Sequence, residues 1–221
     1  MTVLAKVIAI DGPSASGKGT LALNLASELG WPVLDSGAIY RLIGLLADRL
    51  GLLDKEEELI ARLRQFNFRF EGGRCYIDDE NVTEKIRTEE VGKMASTIAT
   101  FRELRKAVLE LQRGFRRPPG LIADGRDMGT VVFPDADLKI FLEASADARA
   151  KRRYNELKNK GFDVTLPLLL DQILERDKRD SERSVAPLIP ASDSILIDTS
   201  DLSIAGMTKR VLGLVAEKDL V

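Results

Sequence analysis

Lys18 and Thr20 end the run Gly12-Pro13-Ser14-Ala15-Ser16-Gly17-Lys18-Gly19-Thr20, whose residue types suit the binding of a polyphosphate. Glycines let the chain turn tightly, so that successive backbone N–H groups can converge on phosphate oxygens. Lys18 offers a cation to the terminal phosphates and Thr20 a hydroxyl to a Mg²⁺ shell. A helix starting at Gly17 would add the positive end of its dipole. One departure stands out. A phosphate loop usually has Ser or Thr directly after Lys, whereas Gly19 stands here and Thr20 follows. The bland alternative is a chance glycine turn before a helix. The apolar, β-branched run at residues 3–10 favours the loop, because a strand leading into such a turn is the context it requires.

Further groups stand where loops should leave strands. Ser36 and Arg41 follow the short run 33–35, and a guanidinium there could hold a second phosphate through two parallel hydrogen bonds. An exposed surface Arg is the commoner fate of such a residue. Asp124 ends the apolar run 121–124, as a carboxylate that helps to hold Mg²⁺ through water would, although an Asp after a strand is also an ordinary turn residue. Arg126 and Asp127 add a cation and an acceptor beside it. Arg149, Arg152 and Arg153 share a helix face by spacing, and so do Arg176, Arg179, Asp180 and Arg183. A solvated, internally paired helix and a ligand-facing helix fit that last pattern equally well.

These groups need a scaffold, and the hydrophobic pattern supplies one. Strands are expected at 3–10, 33–35, 121–124, 138–142 and 195–198. Helices are expected at 17–29, 38–50, from about 54 to 63, 146–159, 166–180 and 203–217. Strands alternating with helices imply a parallel sheet with ligands at the carboxyl edge. Residues 66–70 and 75–77, with turns at 71–74 and 79–81, read as a small antiparallel sheet inserted into that order. Residues 88–113 read as one long helical stretch with room for a break.

Composition removes several classes of mechanism. The chain has no histidine, which excludes histidine bases, His-containing triads and His metal sites within it. Its single cysteine, Cys75, excludes an internal disulfide framework, sits in the inserted hairpin, and fits packing better than chemistry. A net charge of −2 provides no basic field for nucleic acid or for a membrane surface. No apolar run approaches the roughly 18 residues a membrane span needs, and the N-terminus lacks a signal-peptide layout. A cytoplasmic protein acting on phosphates through carboxylates, Arg and Lys is expected.

The ending Gly17-Lys18-Gly19-Thr20 resembles that of nucleoside monophosphate kinases. Taken with residues 34–41, residues 120–134, the runs Glu175-Arg176-Asp177 and Arg179-Asp180, Arg183 and Val185-Ala186-Pro187-Leu188, it makes the chain resemble bacterial cytidylate kinases over nearly its whole length. Ala15 stands where that family often has glycine, and tolerance is expected. The resemblance implies an α/β P-loop kinase fold of three layers in one domain, residues 1–221. It would have a five-stranded parallel sheet, a small antiparallel NMP-binding insertion near 62–90 and a short helical lid near 146–165.

The resemblance further implies transfer of the ATP γ-phosphate to CMP or dCMP, with Mg²⁺ accompanying ATP. ATP would lie on Gly12, Pro13, Ser14, Ala15, Ser16, Gly17, Lys18, Gly19 and Thr20, with Arg149 and Arg153. The acceptor would be held by Ser36, Arg41, Ser96, Arg105, Arg126, Asp127, Arg176 and Asp180, with cytosine at Ser96, Arg105 and Asp127. Lys18, Arg41, Arg126 and Arg183 would serve the chemistry, and Thr20 and Asp124 would hold Mg²⁺ largely through water. A monomer without nucleic-acid or membrane partners is expected. The rival enzyme is another small-acceptor P-loop kinase, for UMP, AMP or shikimate. A GTPase switch would need an N-K-x-D motif, and the only Asn-Lys pair, Asn159-Lys160, continues into Gly161-Phe162 instead.

Overall fold

The computed structural model describes residues 4–71 and 73–220. In chain order the elements are β1 (Lys6–Asp11), α1 (Lys18–Leu29), β2 (Val33–Asp35), α2 (Ser36–Leu50) and α3 (Glu56–Leu63). Next come β3 (Phe68–Glu71), β4 (Arg74–Ile77), β5 (Glu80–Asn81), α4 (Glu89–Ile98) and α5 (Arg102–Arg113). The chain closes with β6 (Gly120–Asp124), β7 (Leu138–Glu143), α6 (Ala146–Asn159), α7 (Leu166–Glu182), β8 (Ile195–Asp198) and α8 (Ile204–Glu217). A 3₁₀ turn at Lys85–Arg87 and a π-helical turn at Met128–Val132 complete the set. The chain divides into two compact units, one running up to Leu34 and resuming at Arg113, the other spanning Asp35–Gln112.

The first unit is built on a five-stranded parallel sheet in the order β2-β6-β1-β7-β8. β1 lies at its centre, and Val7, Ile8, Ala9 and Ile10 are wholly buried. That is why its sequence is a continuous apolar run and does not alternate: both faces are covered. Leu21, Ala22 and Leu25 of α1 join Ile122, Leu138, Ile140, Leu142, Ile197 and the α8 residues Met207, Val211 and Val215 in one core. Ile10 pairs with Asp124, and Glu143 with Asp198, so the loops after β1, β6, β7 and β8 leave one edge. Ser145 caps α6 by accepting from Ala148 N at 3.2 Å, and Ser203 caps α8 by accepting from Gly206 N at 3.1 Å.

In the second unit, Leu42, Leu45 and Leu46 of α2 pack on Cys75, Ile77, Val82, Ile86 and Val91. The buried thiol of Cys75 belongs to this core, as its apolar surroundings require. Asp35 Oδ1 accepts from Ala38 N at 2.9 Å, so the cap falls at Asp35 and α2 begins at Ser36, two residues before the expected start.

Three further expectations are refined. Of the expected turn at 79–81, Glu80 and Asn81 form a paired strand, β5, opposite Ile77 and Tyr76. Two residues are too few for any periodicity to show. The long stretch 88–113 is two helices, interrupted after Ile98, where Thr100 Oγ1 donates back to Thr97 O at 2.7 Å. α7 runs to Glu182, beyond the expected residue 180. Val3, the expected first strand residue, and Gly72, in the expected hairpin turn, lie outside the described residues.

Candidate active site

The loop between β1 and α1 is set by two backbone constraints. Gly12 has φ 145°, and a Cβ there would run into the Leu142 carbonyl of β7, so only glycine fits. Ala15 lies in the left-handed region at φ 59°, which costs an alanine roughly 1 kcal/mol. Ser16 Oγ donates to Pro13 O at 3.0 Å and Lys18 Nζ to the same carbonyl at 2.6 Å, closing the loop on itself.

Lys18 is buried, and its pKa is lowered to about 7. Loss of water is the main cause, and the Arg126 charge adds to it, against a smaller opposing pull from the Asp124 carboxylate. An arriving polyanion would reverse this balance by supplying negative charge. Asp124 lies at the end of β6, and a Cβ on Gly19 would sit 3.5 Å from its Oδ2. Its carboxylate therefore lies against the first turn of α1, the turn that also carries the exposed Thr20 hydroxyl. These are hard oxygen donors with water access, which suits a cation that retains several waters. No cluster of three acidic, Cys or His residues capable of caging a metal occurs among the described residues.

Beyond β6, the chain turns through Gly125, Arg126 and Asp127. Arg126 Nε donates to Asp180 Oδ2 at 3.0 Å, and Arg176 Nε lies 3.9 Å from the same oxygen. Asp180 is buried. Burial pushes its pKa up, but the guanidiniums of Arg126, Arg176 and Arg183 outweigh that and hold it below the usual carboxylate value. This divides the charged face of α7. Asp180 turns inward with Arg126 and Arg176, while Arg179 Nη2 bonds the exposed Glu175 at 2.8 Å. Arg183 caps the end of α7 and donates from Nε to Ala186 O at 2.5 Å. Asp127 is buried.

The three arginines of α6 diverge. Arg149 bonds Asp177 with both terminal nitrogens at 3.0 and 2.5 Å, and donates from Nη1 to Ser14 O at 3.3 Å. Arg152 donates to Thr199 Oγ1 at 3.2 Å and to the Thr199 carbonyl, and Arg153 pairs with Glu156 at 2.6 Å.

In the second unit, Arg41 Nη1 donates to Ile86 O at 2.7 Å and Thr88 O at 3.0 Å. Its Nη2 would lie 2.9 Å from a Cβ on Gly92, so glycine in α4 leaves the guanidinium its place. Ser36 Oγ accepts from Gln112 Nε2 at 2.8 Å, both side chains being buried. Arg105 is buried, donates to Ala99 O at 3.3 Å and lies 5.6 Å from the centre of the Tyr40 ring, a cation–π contact. Ser96 is also buried, on α4.

Sequence reasoning did not single out Asp11, Thr199 or Gln112, and gave Asp177 no role. Asp11 is 5 % exposed, and its two oxygens accept from Met128 N and Gly129 N, each at 2.8 Å. Burial pushes its pKa up to about 6, against the lowering effect of those two backbone donors. Thr199 Oγ1 reaches Ser16 O at 3.0 Å. Asp11 ends β1 and Thr199 directly follows β8, positions at the loop-bearing edge that could have flagged them. Gln112 and Asp177 lie within helices and carried no such signal.

Residues 8–217 match the family model described as cytidylate kinase. Curated relatives include cytidylate kinases of Pseudomonas syringae pv. tomato, 51% identical with 100% of this chain and 99% of the relative covered, and of Pseudomonas putida W619, 53% identical with both chains fully covered. A cytidylate kinase of Bordetella bronchiseptica is 53% identical over 94% of each chain. With a match from β1 into α8 and identity above half across the full length, the chain belongs to the cytidylate kinase family.

Proposed function

We propose that this chain transfers the γ-phosphate of ATP to CMP or dCMP, giving CDP or dCDP and ADP. The observation that carries the reading, beside family membership, is the buried Lys18 and Asp180 with the partly buried Arg126 and Arg176 at the edge where the glycine loop leaves β1. That much positive charge behind a phosphate loop suits a transferring phosphoryl group, whose charge spreads over its equatorial oxygens.

Residues 12–20 would bind ATP, with Lys18 across its phosphates and Arg149 and Arg153 assigned to the donor side. Ser36, Arg41, Ser96, Arg105, Arg126, Asp127, Arg176 and Asp180 would hold the acceptor, Arg41 and Arg126 at its phosphate, with Arg183 assisting. Asp127 and Arg105 offer cytosine an acceptor for its amino group and donors for its ring acceptors. The acceptor phosphate is already an anion, so attack in line needs positioning more than a general base, in keeping with a chain without histidine. Thr20 and Asp124 would hold Mg²⁺, which when bound neutralises phosphate charge. Residues 62–90 are assigned as the NMP-binding insertion and 146–165 as the lid that excludes water. No helix among the described residues is long and apolar enough to cross a membrane. The reading includes a cytoplasmic monomer.

The test is ADP release measured with CMP, dCMP, UMP, AMP and shikimate as acceptors, with and without Mg²⁺. CMP or dCMP should give the highest kcat/KM. Equal or higher values with AMP, UMP or shikimate would remove the assignment.

A further inference from the structure

Two carbonyls of the glycine loop are held from outside the loop. Arg149 Nη1 donates to Ser14 O at 3.3 Å, and Thr199 Oγ1 reaches Ser16 O at 3.0 Å, with Glu143 O at 3.1 Å competing for the same proton. In a trans peptide the carbonyl and the following N–H point in opposite directions. Fixing Ser14 O against Arg149 therefore directs the Ala15 N–H away from Arg149. Ala15 itself is kept at φ 59°, a conformation an alanine leaves unless its surroundings hold it.

Arg149 can hold that peptide only if its own guanidinium is fixed. Its side chain is 5% exposed, so the cation is largely without water. Asp177 supplies both the countercharge and the orientation: its two oxygens take Nη1 at 3.0 Å and Nη2 at 2.5 Å, while Nε is anchored on Ala144 O at 3.0 Å. This planar, two-point pair leaves Nη1 in reach of Ser14 and prevents the head group from swinging. We infer that Asp177 is a positioning residue of the donor site, which acts through Arg149 to hold the Ser14–Ala15 peptide in the orientation that presents the Ala15 N–H to phosphate. The inference rests on the assignment of ATP to this loop.

The measurement is made on the full chain with Asp177→Asn, which keeps size and one acceptor but removes the charge; at 26% side-chain exposure the site accepts an amide without a buried void. ADP·Mg²⁺ affinity is read by calorimetry, alongside KM for ATP, KM for CMP and thermal unfolding. ADP affinity should fall about tenfold and KM for ATP rise equally, as expected for loss of a hydrogen bond to a charged group, with KM for CMP within about twofold. Arg149→Ala should lose as much, the double variant should lose no more than Arg149→Ala alone, and Asp177→Glu should recover part of the affinity. ADP affinity unchanged or improved in Asp177→Asn, equal rises in both KM values, or additive losses in the double variant would overturn the assignment. ADP binding needs no acceptor, so a chain that bound ADP but did not phosphorylate CMP would refute the proposed activity while this comparison still decided the role of Asp177.

Discussion

Arg126 and Asp180 are 54 positions apart in the chain, yet Nε and Oδ2 meet at 3.0 Å, with the carboxylate nearly removed from water. The pair joins the loop after β6 to α7 and places a guanidinium and its counterion beside Lys18, whose charge it also weakens. A buried pair of this kind is costly to break from one side, because the remaining partner keeps its desolvation without its compensation.

Asp180→Asn should therefore lower stability by about 3 kcal/mol at neutral pH. The sign with pH is fixed by the direction of the shift. Asp180 is held below its ordinary value, so its contribution is complete above the unfolded pKa, near 3.9, and fades as pH falls through the lower folded value. Urea unfolding of both forms at pH 7 and near pH 3 checks this: the gap between them should shrink in acid. A gap that stayed constant would mean the shift is absent.

Asp11 has the opposite sign. Its folded pKa, about 6, lies above the unfolded value, so the folded state holds the proton more tightly. Its contribution is largest below about pH 4 and declines as pH rises toward 6, by up to about 3 kcal/mol. Asp11→Asn should lack that decline, and denaturant curves at pH 4.5 and 7.5 compare the two slopes. The variant should also bind CMP more weakly, because one of the acceptors that fix Met128 N and Gly129 N is lost.

Lys18→Ala and Arg126→Ala should each reduce kcat by roughly 10²–10³-fold, the loss typical of removing one preorganised charge contact to a transition state. Circular dichroism should remain that of the wild type. Turnover near the wild-type rate in either variant would dismiss its assigned role.

Arg41→Ala should raise KM for CMP far more than KM for ATP. Its guanidinium is held at Ile86 O and Thr88 O, contacts that keep it in one place before any substrate arrives. Steady-state kinetics with each substrate varied in turn measures the split. Equal increases would indicate a structural role.

Ala15→Gly should stabilise the chain by about 0.5–1 kcal/mol, relief of the φ 59° conformation exceeding the added freedom of the unfolded chain. Thermal unfolding without nucleotide reads this directly. No gain would mean that the loop holds Ala15 without strain.

Much was legible in the residues alone. The continuous apolar runs of β1 and β6 identified a parallel sheet covered on both faces. The glycines, Lys18 and Thr20 identified a phosphate loop from local chemistry, because a turn into a helix is specified by neighbours in sequence. What spacing left open, tertiary contact decided. Periodicity could not choose between a solvated and an inward face for α7, and Arg126 settled it by reaching Asp180 while Arg179 stayed with Glu175. It grouped Arg149, Arg152 and Arg153 on one face, yet their partners are Asp177 with Ser14, Thr199, and Glu156 respectively. Asp177 had no local signature, and the strand-end positions of Asp11 and Thr199 do not reveal the distant groups they reach: Met128 and Gly129 for Asp11, Arg149 for Asp177, and Ser16 for Thr199. Local pattern determines which backbone forms and which chemistry is at hand. Desolvation and pairing, which set the charge state of Lys18, Asp11 and Asp180, exist only once distant segments pack together.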